Sequence, residues 1–108
     1  MTGYVFVYTT LPSEADADAL AEHLVKTRLA ACVNIYPGMR AVFEWQGKIE
    51  HAQETGMFIK TRQDLADEVM KEVRAHHPYE VPALLVLAIE KGSEDYLRWL
   101  EENTRART

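Results

Sequence analysis

The sequence predicts an α+β sandwich, with four antiparallel strands in one sheet, two helices on a single face and a further helix at the C-terminus. Three observations predict it. The spacing of apolar residues alternates between a strand period and a helical period in the order β-α-β-β-α-β. Two right-handed β-α-β crossovers fold that order into an antiparallel four-stranded sheet with both main helices on one side. Gln46-Gly47-Lys48 is a turn signal between two long strand patterns, so the middle strands form a hairpin.

Tyr4 to Thr10 is apolar on both faces and rich in β-formers, as a central strand requires. Leu11-Pro12 ends it. Ser13 is placed to cap a helix, with Glu14 and Asp16 favourable in the first turn. Ala17, Leu20, Ala21 and Leu24 follow helical spacing, and Asp18, Glu22 and Lys26 fall on the wet side. Ala31 to Tyr36 is the second strand, and Pro37-Gly38 bends or bulges it. Beyond, Met39, Ala41, Phe43 and Trp45 share one face, while Arg40, Val42, Glu44 and Gln46 share the other. Ile49 to Thr61 returns antiparallel, with Gly56 a candidate bulge. Thr61 is expected to cap the second helix, with Asp64 at its third position and Leu65, Val69 and Val73 on its apolar stripe. That helix stops before Pro78, since the residue preceding proline avoids helical backbone. Pro82 to Glu90 reads as a last strand buried on both faces. Ser93 caps a final helix carrying Tyr96, Leu97, Trp99 and Leu100, and Thr104 to Thr108 is expected to fray.

Two features of this pattern predict an assembly. Eight strand residues reach roughly 26 Å, whereas a compact chain of this length has a radius of gyration of about 13 Å. The hairpin tip therefore projects beyond the helices that could cover it, and Phe43 and Trp45 are expected to pack into a partner. The sheet face without helices also needs a cover, from a neighbouring subunit or from the terminal helix.

Composition narrows the function. The 108 residues suit a single domain, 1–108, with an apolar content sufficient for a core without disulfides. Cys32 is the only cysteine, so no intrachain disulfide can form, which fits a reducing compartment. The N-terminus lacks a basic region, Tyr4 to Tyr8 is too short for a signal core, and no apolar run approaches a membrane span. A cytoplasmic location is expected, without membrane association. A formal charge of −5 with scattered Lys and Arg makes nucleic acid an unsuitable partner.

Four segments together resemble one family. They are LAACVNIYPGMRAVFEWQGKI (Leu29 to Ile49), FIKTR (Phe58 to Arg62), HHPYEVPALLVL (His76 to Leu87) and DYLRWL (Asp95 to Leu100). In order and spacing they resemble the CutA divalent-cation-tolerance family. The resemblance implies a ferredoxin-like fold, a stable homotrimer with strand pairing between subunits, a cytoplasmic setting in prokaryotes, and a link to tolerance of copper and other metals. It also implies a trimer architecture similar to that of PII signalling proteins, which bind small ligands in clefts between subunits. Two positions depart from the family pattern. Ala83 stands where an acidic residue often follows the second proline of HPYEVP, and Thr9 stands where some members have a cysteine.

Cys32 and His77 are the metal ligands the resemblance favours, since copper suits thiolate and imidazole. The plainer alternatives are a small core residue and a helix-terminal charge. No CxxC or HxxxH spacing exists, and His76 and His77 point apart in an extended chain. His51, on the hairpin arm, is a weaker candidate. Lys60, Tyr79 and Glu80 form a second constellation. Pro78 and Pro82 stiffen the loop that presents Tyr79 and Glu80, and a lysine, a phenol and a carboxylate could hold a small ligand. The plainer alternative there is an intersubunit ion pair. No nucleophile–base–orienter arrangement or phosphate-cradling glycine loop is visible, so no enzymatic activity is expected. Divalent metal, with Cu(II) the leading ion, is the expected cofactor, and no organic cofactor is expected. Trp45 and Trp99 are expected to be packing anchors.

Overall fold

The computed structural model describes residues 2–107. The elements run β1 (Tyr4–Leu11), α1 (Glu14–Lys26), β2 (Cys32–Trp45), β3 (Lys48–Arg62), a 3-10 turn (Gln63–Leu65), α2 (Ala66–His76), β4 (Leu84–Ala88) and α3 (Glu94–Glu102). The sheet order is β2-β3-β1-β4, and every pairing is antiparallel. This is the ferredoxin-like arrangement the periodicity predicts.

Strand alternation divides the sheet into two unlike faces. Val5, Val7, Thr9 and Leu11 of β1, with Met57, Ile59 and Thr61 of β3, are buried beneath the helices. Leu20 and Leu24 of α1 and Val69 and Val73 of α2 close that core. Each such side chain, fully buried, stabilises the fold by about 1.5–3 kcal/mol. Tyr4, Phe6, Tyr8 and Thr10 point the other way, beside Gly56, Phe58, Lys60 and Arg62.

Helix α1 forms as expected: the Ser13 side chain accepts a hydrogen bond from the Asp16 N–H at 3.2 Å, and Ala17, Leu20, Ala21 and Leu24 are buried. Its end is marked by Arg28, which takes a left-handed φ of 61°. Helix α2 departs from expectation at its start. Thr61 does not cap it; Thr61 is still in β3, where its hydroxyl donates to the Leu29 carbonyl at 2.6 Å. The helix is instead entered through the 3-10 turn, with Leu65 at its cap position and no side-chain cap bond. It ends at His76, with His77 extended ahead of Pro78.

The hairpin is the dominant irregularity. Tyr36 lies opposite Gly56 and Met39 opposite Glu54, so Pro37 and Gly38 together face the single residue Thr55. Gly38 adopts φ +73° there. The bulge is therefore at Pro37-Gly38 and not at Gly56, which is in register with both Tyr36 and Thr10. A Cβ on Gly56 would lie 3.1 Å from the Met39 sulfur, so a side chain there would press on Met39 across the hairpin. Because the bulge adds one residue, Met39, Ala41, Phe43 and Trp45 share the helix-free face with Cys32, Asn34 and Tyr36. At the tip, Gln46 (φ 50°) and Gly47 (φ 80°) form a two-residue turn of the left-handed type that hairpins favour. The arm stretches the chain to 46 × 26 × 22 Å, with a radius of gyration of 14.6 Å.

Two expectations about the C-terminal part are corrected. β4 is not buried on both faces: it is a five-residue edge strand, and Leu85, Val86 and Leu87 are all exposed in the single chain. Its position outside β1 explains this, since α1 lies across β1, β2 and β3 while α2 lies on β1. The segment after α3 does not fray from Thr104. Thr104 is buried, and the Arg105 N–H donates to the Arg28 carbonyl at 2.9 Å; Thr108 lies outside the described residues. Helix α3 packs on β3 and covers one end of the helix-free face, near Tyr4, Lys60 and Arg62. Trp99 stacks on Tyr96 but stays exposed, so it anchors its own helix more than the sheet.

Candidate functional site

The helix-free face divides into three regions. At the α3 end, Arg62 is buried and fully engaged. Its Nε and Nη2 donate to the two Asp64 oxygens at 2.8 and 2.9 Å, and its Nη1 donates to the Thr104 hydroxyl at 2.9 Å and to the Arg105 carbonyl. Glu101 beside it accepts from Tyr4 Oη at 2.8 Å and from both Nε and Nη2 of Arg107. The hydrogen bond from Arg62 holds the Asp64 carboxyl below its usual range, and those from Arg107 and Tyr4 do the same for Glu101. Burial, reinforced by Glu101, pushes the Tyr4 phenol up. The sequence reading missed this network because its members are spread from Tyr4 to Arg107.

In the middle are aromatic side chains and the first two predicted site residues. Phe58 packs against Phe6, Tyr8 and Tyr36, with ring centroids 5.1–6.0 Å apart. Cys32 is half-buried opposite Lys60, on the edge strand β2. Lys60 Nζ donates to Tyr96 Oη at 3.2 Å and lies over the rings of Phe6 and Tyr96.

The third region is a groove of about 740 Å³ between the hairpin arm and the Pro78–Ala83 loop. Phe43, Trp45 and Tyr79 supply its apolar walls, and Glu50, Glu54 and Glu80 supply negative charge. The Thr10 hydroxyl donates to Glu54 at 3.0 Å. Burial, and secondarily the Glu54 charge, raises the Tyr79 phenol above its ordinary value. His51 also lines the groove.

His77 has both ring nitrogens engaged. The Tyr79 N–H donates to Nδ1 at 3.1 Å, so the ring proton belongs on Nε2, which donates to the Thr10 carbonyl at 2.6 Å. To coordinate an ion His77 would have to release one of these bonds.

The structure does not bring Cys32 and His77 together within one chain. Cys32 lies in the row of Lys60 and Phe6, and His77 is tied to Thr10, four residues further along β1. That offset is roughly 13 Å, with two strand spacings of about 4.8 Å added for Cys32. The same offset along the sheet separates Lys60 from Tyr79, whose ring packs on His77. Tyr79 and Glu80 do share the groove with Phe43 and Trp45.

Comparison with known proteins places this surface in a family. Residues 5–103 match the family described as CutA1 divalent ion tolerance protein. The chain belongs to that family. It is 44% identical over 98 residues to the divalent-cation tolerance protein CutA of Thermus thermophilus, covering 91% of this chain and 95% of that one. It is 44% identical over 101 residues to the chloroplastic protein CutA of Arabidopsis thaliana, covering 94% of this chain and 56% of the plant protein. The chain thus spans little more than half the length of that plant relative. The crystal structure of CutA1 from Oryza sativa superposes with a TM-score of 0.92 at 38% identity, covering 99% of this chain and 100% of that one.

Against the family pattern, Thr9 is buried in the helix-side core with no hydrogen-bond partner for its hydroxyl among the described residues. It is thus closed to any ion on the helix-free face. Ala83 lines the groove and adds no carboxylate to it.

Proposed function

We propose that the chain works as a homotrimer in a non-enzymatic role of divalent-cation tolerance, taking up Cu(II) or similar ions. One observation carries the assembly. The helix-free face and the projecting arm expose Tyr36, Phe43, Trp45, Leu85 and Leu87 together in the single chain. An apolar surface of this kind on a small protein marks an interface. Family membership supports both the cation role and the cover that three copies would supply. Cys32, half-buried on an outer strand of that face, is the thiolate donor such an assembly would enclose, and His77 is its proposed imidazole. Since one chain holds these two apart, an ion shared between them would be bound across a subunit boundary.

Light scattering at micromolar concentration tests the assembly: a species of three chains is expected, and monomer alone would overturn it. A chelator-competed Cu(II) titration of the metal-stripped protein, beside Cys32→Ser, tests the ion. A saturable component of uptake that is lost in the variant supports the site.

The groove supports a second reading, a PII-like sensor of small ligands using Tyr79 and Glu80. With Glu50, Glu54 and Glu80 on its walls and Lys60 elsewhere, the groove in a single chain suits a cationic ligand better than an anion. A thermal-shift panel of amines and nucleotides decides it, with no shift for any compound ending that reading.

A further inference from the structure

His23 on α1 and Glu72 and His76 on α2 meet on the helix layer, on the opposite side of the sheet from the aromatic face. Glu72 and His76 are one helical turn apart and so project from the same side of α2. His23 reaches them from the neighbouring helix, and its ring packs 5.1 Å from that of His76. His23 Nε2 is 3.4 Å from Glu72 Oε2, and His76 Nδ1 is 3.7 Å from the same oxygen. One donor atom from each of the three residues falls within 4.8 Å of the others. Donors at about 2.1 Å around a tetrahedral ion are roughly 3.4 Å apart. Two of the separations are already near that value, and the third is within 4.8 Å.

Two details point to an ion. His23 Nε2 is shut off from solvent and has no hydrogen-bond partner among the described residues. Its approach to Glu72 has the distance of an ion pair without the geometry of a hydrogen bond. A buried polar atom left in this way carries an unrecovered desolvation cost, which a bound cation would remove. The His76 Nδ1 in turn contacts the Glu72 carbonyl at 2.8 Å, a bond that holds the ring over the cluster.

The geometry points to a cation site formed by His23, Glu72 and His76 of one chain, for a borderline divalent ion such as Zn(II) or Cu(II). Two imidazoles and a carboxylate suit these ions better than Mg(II) or Ca(II), which take oxygen donors. Three protein ligands leave one coordination position for water. An ion taken at His76 Nδ1 replaces the bond to the Glu72 carbonyl, and the ring proton then sits on Nε2. The site needs no second chain and gives one ion per chain, whereas the Cys32 site proposed above depends on assembly.

The test is a chelator-competed Zn(II) titration of metal-stripped protein, with Co(II) absorption reporting coordination geometry. Wild type is compared with His23→Gln, His76→Gln and Cys32→Ser. These exposed or half-exposed histidines can be replaced without disturbing the core, and thermal midpoints without metal check that. Cys32→Ser, which lacks the assembly site, should still bind one ion per chain, and each histidine variant should lose at least about tenfold in affinity at the helix site, since even outer-shell changes at such sites cost that much. Zn(II) should raise the thermal midpoint of wild type by more than that of the histidine variants. Uptake unchanged in both histidine variants would overturn the site. Loss in Cys32→Ser alone would overturn it and leave the assembly site standing, while loss in the histidine variants alone would do the reverse.

Discussion

Arg62 illustrates how one side chain can join distant parts of this chain. It is 1% exposed, yet it carries a charge, and the fold tolerates this because each guanidinium nitrogen donates a hydrogen bond. Arg62→Leu should lower unfolding stability by about 3 kcal/mol, measured by urea denaturation, because the Asp64 carboxylate, the Thr104 hydroxyl and the Arg105 carbonyl lose their donor. Asp64 and Glu101 make the same network sensitive to acid. Their folded-state values are held below the ordinary 3.8 and 4.5. The stability they contribute is therefore complete above about pH 5 and is lost as pH falls through their folded values. Denaturation midpoints between pH 6 and 3 should fall in wild type and fall less steeply in Arg62→Leu, in which the Asp64 part of the effect is gone. His77 calls for similar attention at this scale. Its two bonds tie the Pro78 loop to β1, so His77→Ala should cost about 1–2 kcal/mol without any metal present. A metal-binding measurement on that variant has to be read beside its stability.

At the level of elements, the hairpin turn is the most specific local feature. Gly47→Val places a branched side chain at φ +80° and should destabilise the chain by about 1–2 kcal/mol in thermal unfolding, with the helices unaffected in far-UV circular dichroism. The turn, the Pro37-Gly38 bulge and the Ser13 and Ser93 caps were all legible in the sequence, because each rests on chemistry within a few residues. What escaped it depends on partners distant along the chain. Thr61 has the composition of a helix cap, but its hydroxyl is claimed by Leu29 across the core, and β3 runs on to Arg62. Pro82 to Glu90 has the apolar run of a central strand, but its place at the sheet edge leaves β4 exposed on both faces. The candidate site divides in the same way. Tyr79 and Glu80 were legible from two prolines and do meet the hairpin arm in a groove. Cys32 was grouped with His77, and Lys60 with Tyr79 and Glu80, by residue type, and the strand register sets Cys32 apart from His77 and Lys60 apart from Tyr79. The pairing of His23 with Glu72 and His76 left no trace in spacing, because it joins two helices about 50 residues apart.

For the whole molecule, the two sides of the sheet have opposite destinies. The helix side carries the buried core, and the other side exposes Tyr36, Phe43, Trp45, Leu85 and Leu87. Trp45→Asp puts a charge on the arm's exposed apolar face, where Trp45 is 59% exposed in the single chain. It should shift the sedimentation of the protein toward monomer while leaving the monomer's helical signal intact. If Trp45→Asp and wild type sediment alike, the arm is not part of the interface. The proposed cation site on the helices should be unaffected by this change, since its three ligands come from one chain.

The bulge at Pro37-Gly38 has a further consequence, in the manner of a reading frame. Even-numbered residues of β2 face the aromatic side before it, and odd-numbered residues do so after it. A single-residue deletion at Gly38 barely alters composition, length or charge. It would nevertheless put the outer arm out of phase, turning Phe43 and Trp45 away and presenting Val42 and Glu44 in their place. In the trimer proposed above, the face an arm offers to its copies would thus be encoded in the parity of one strand, and one codon would be enough to invert it.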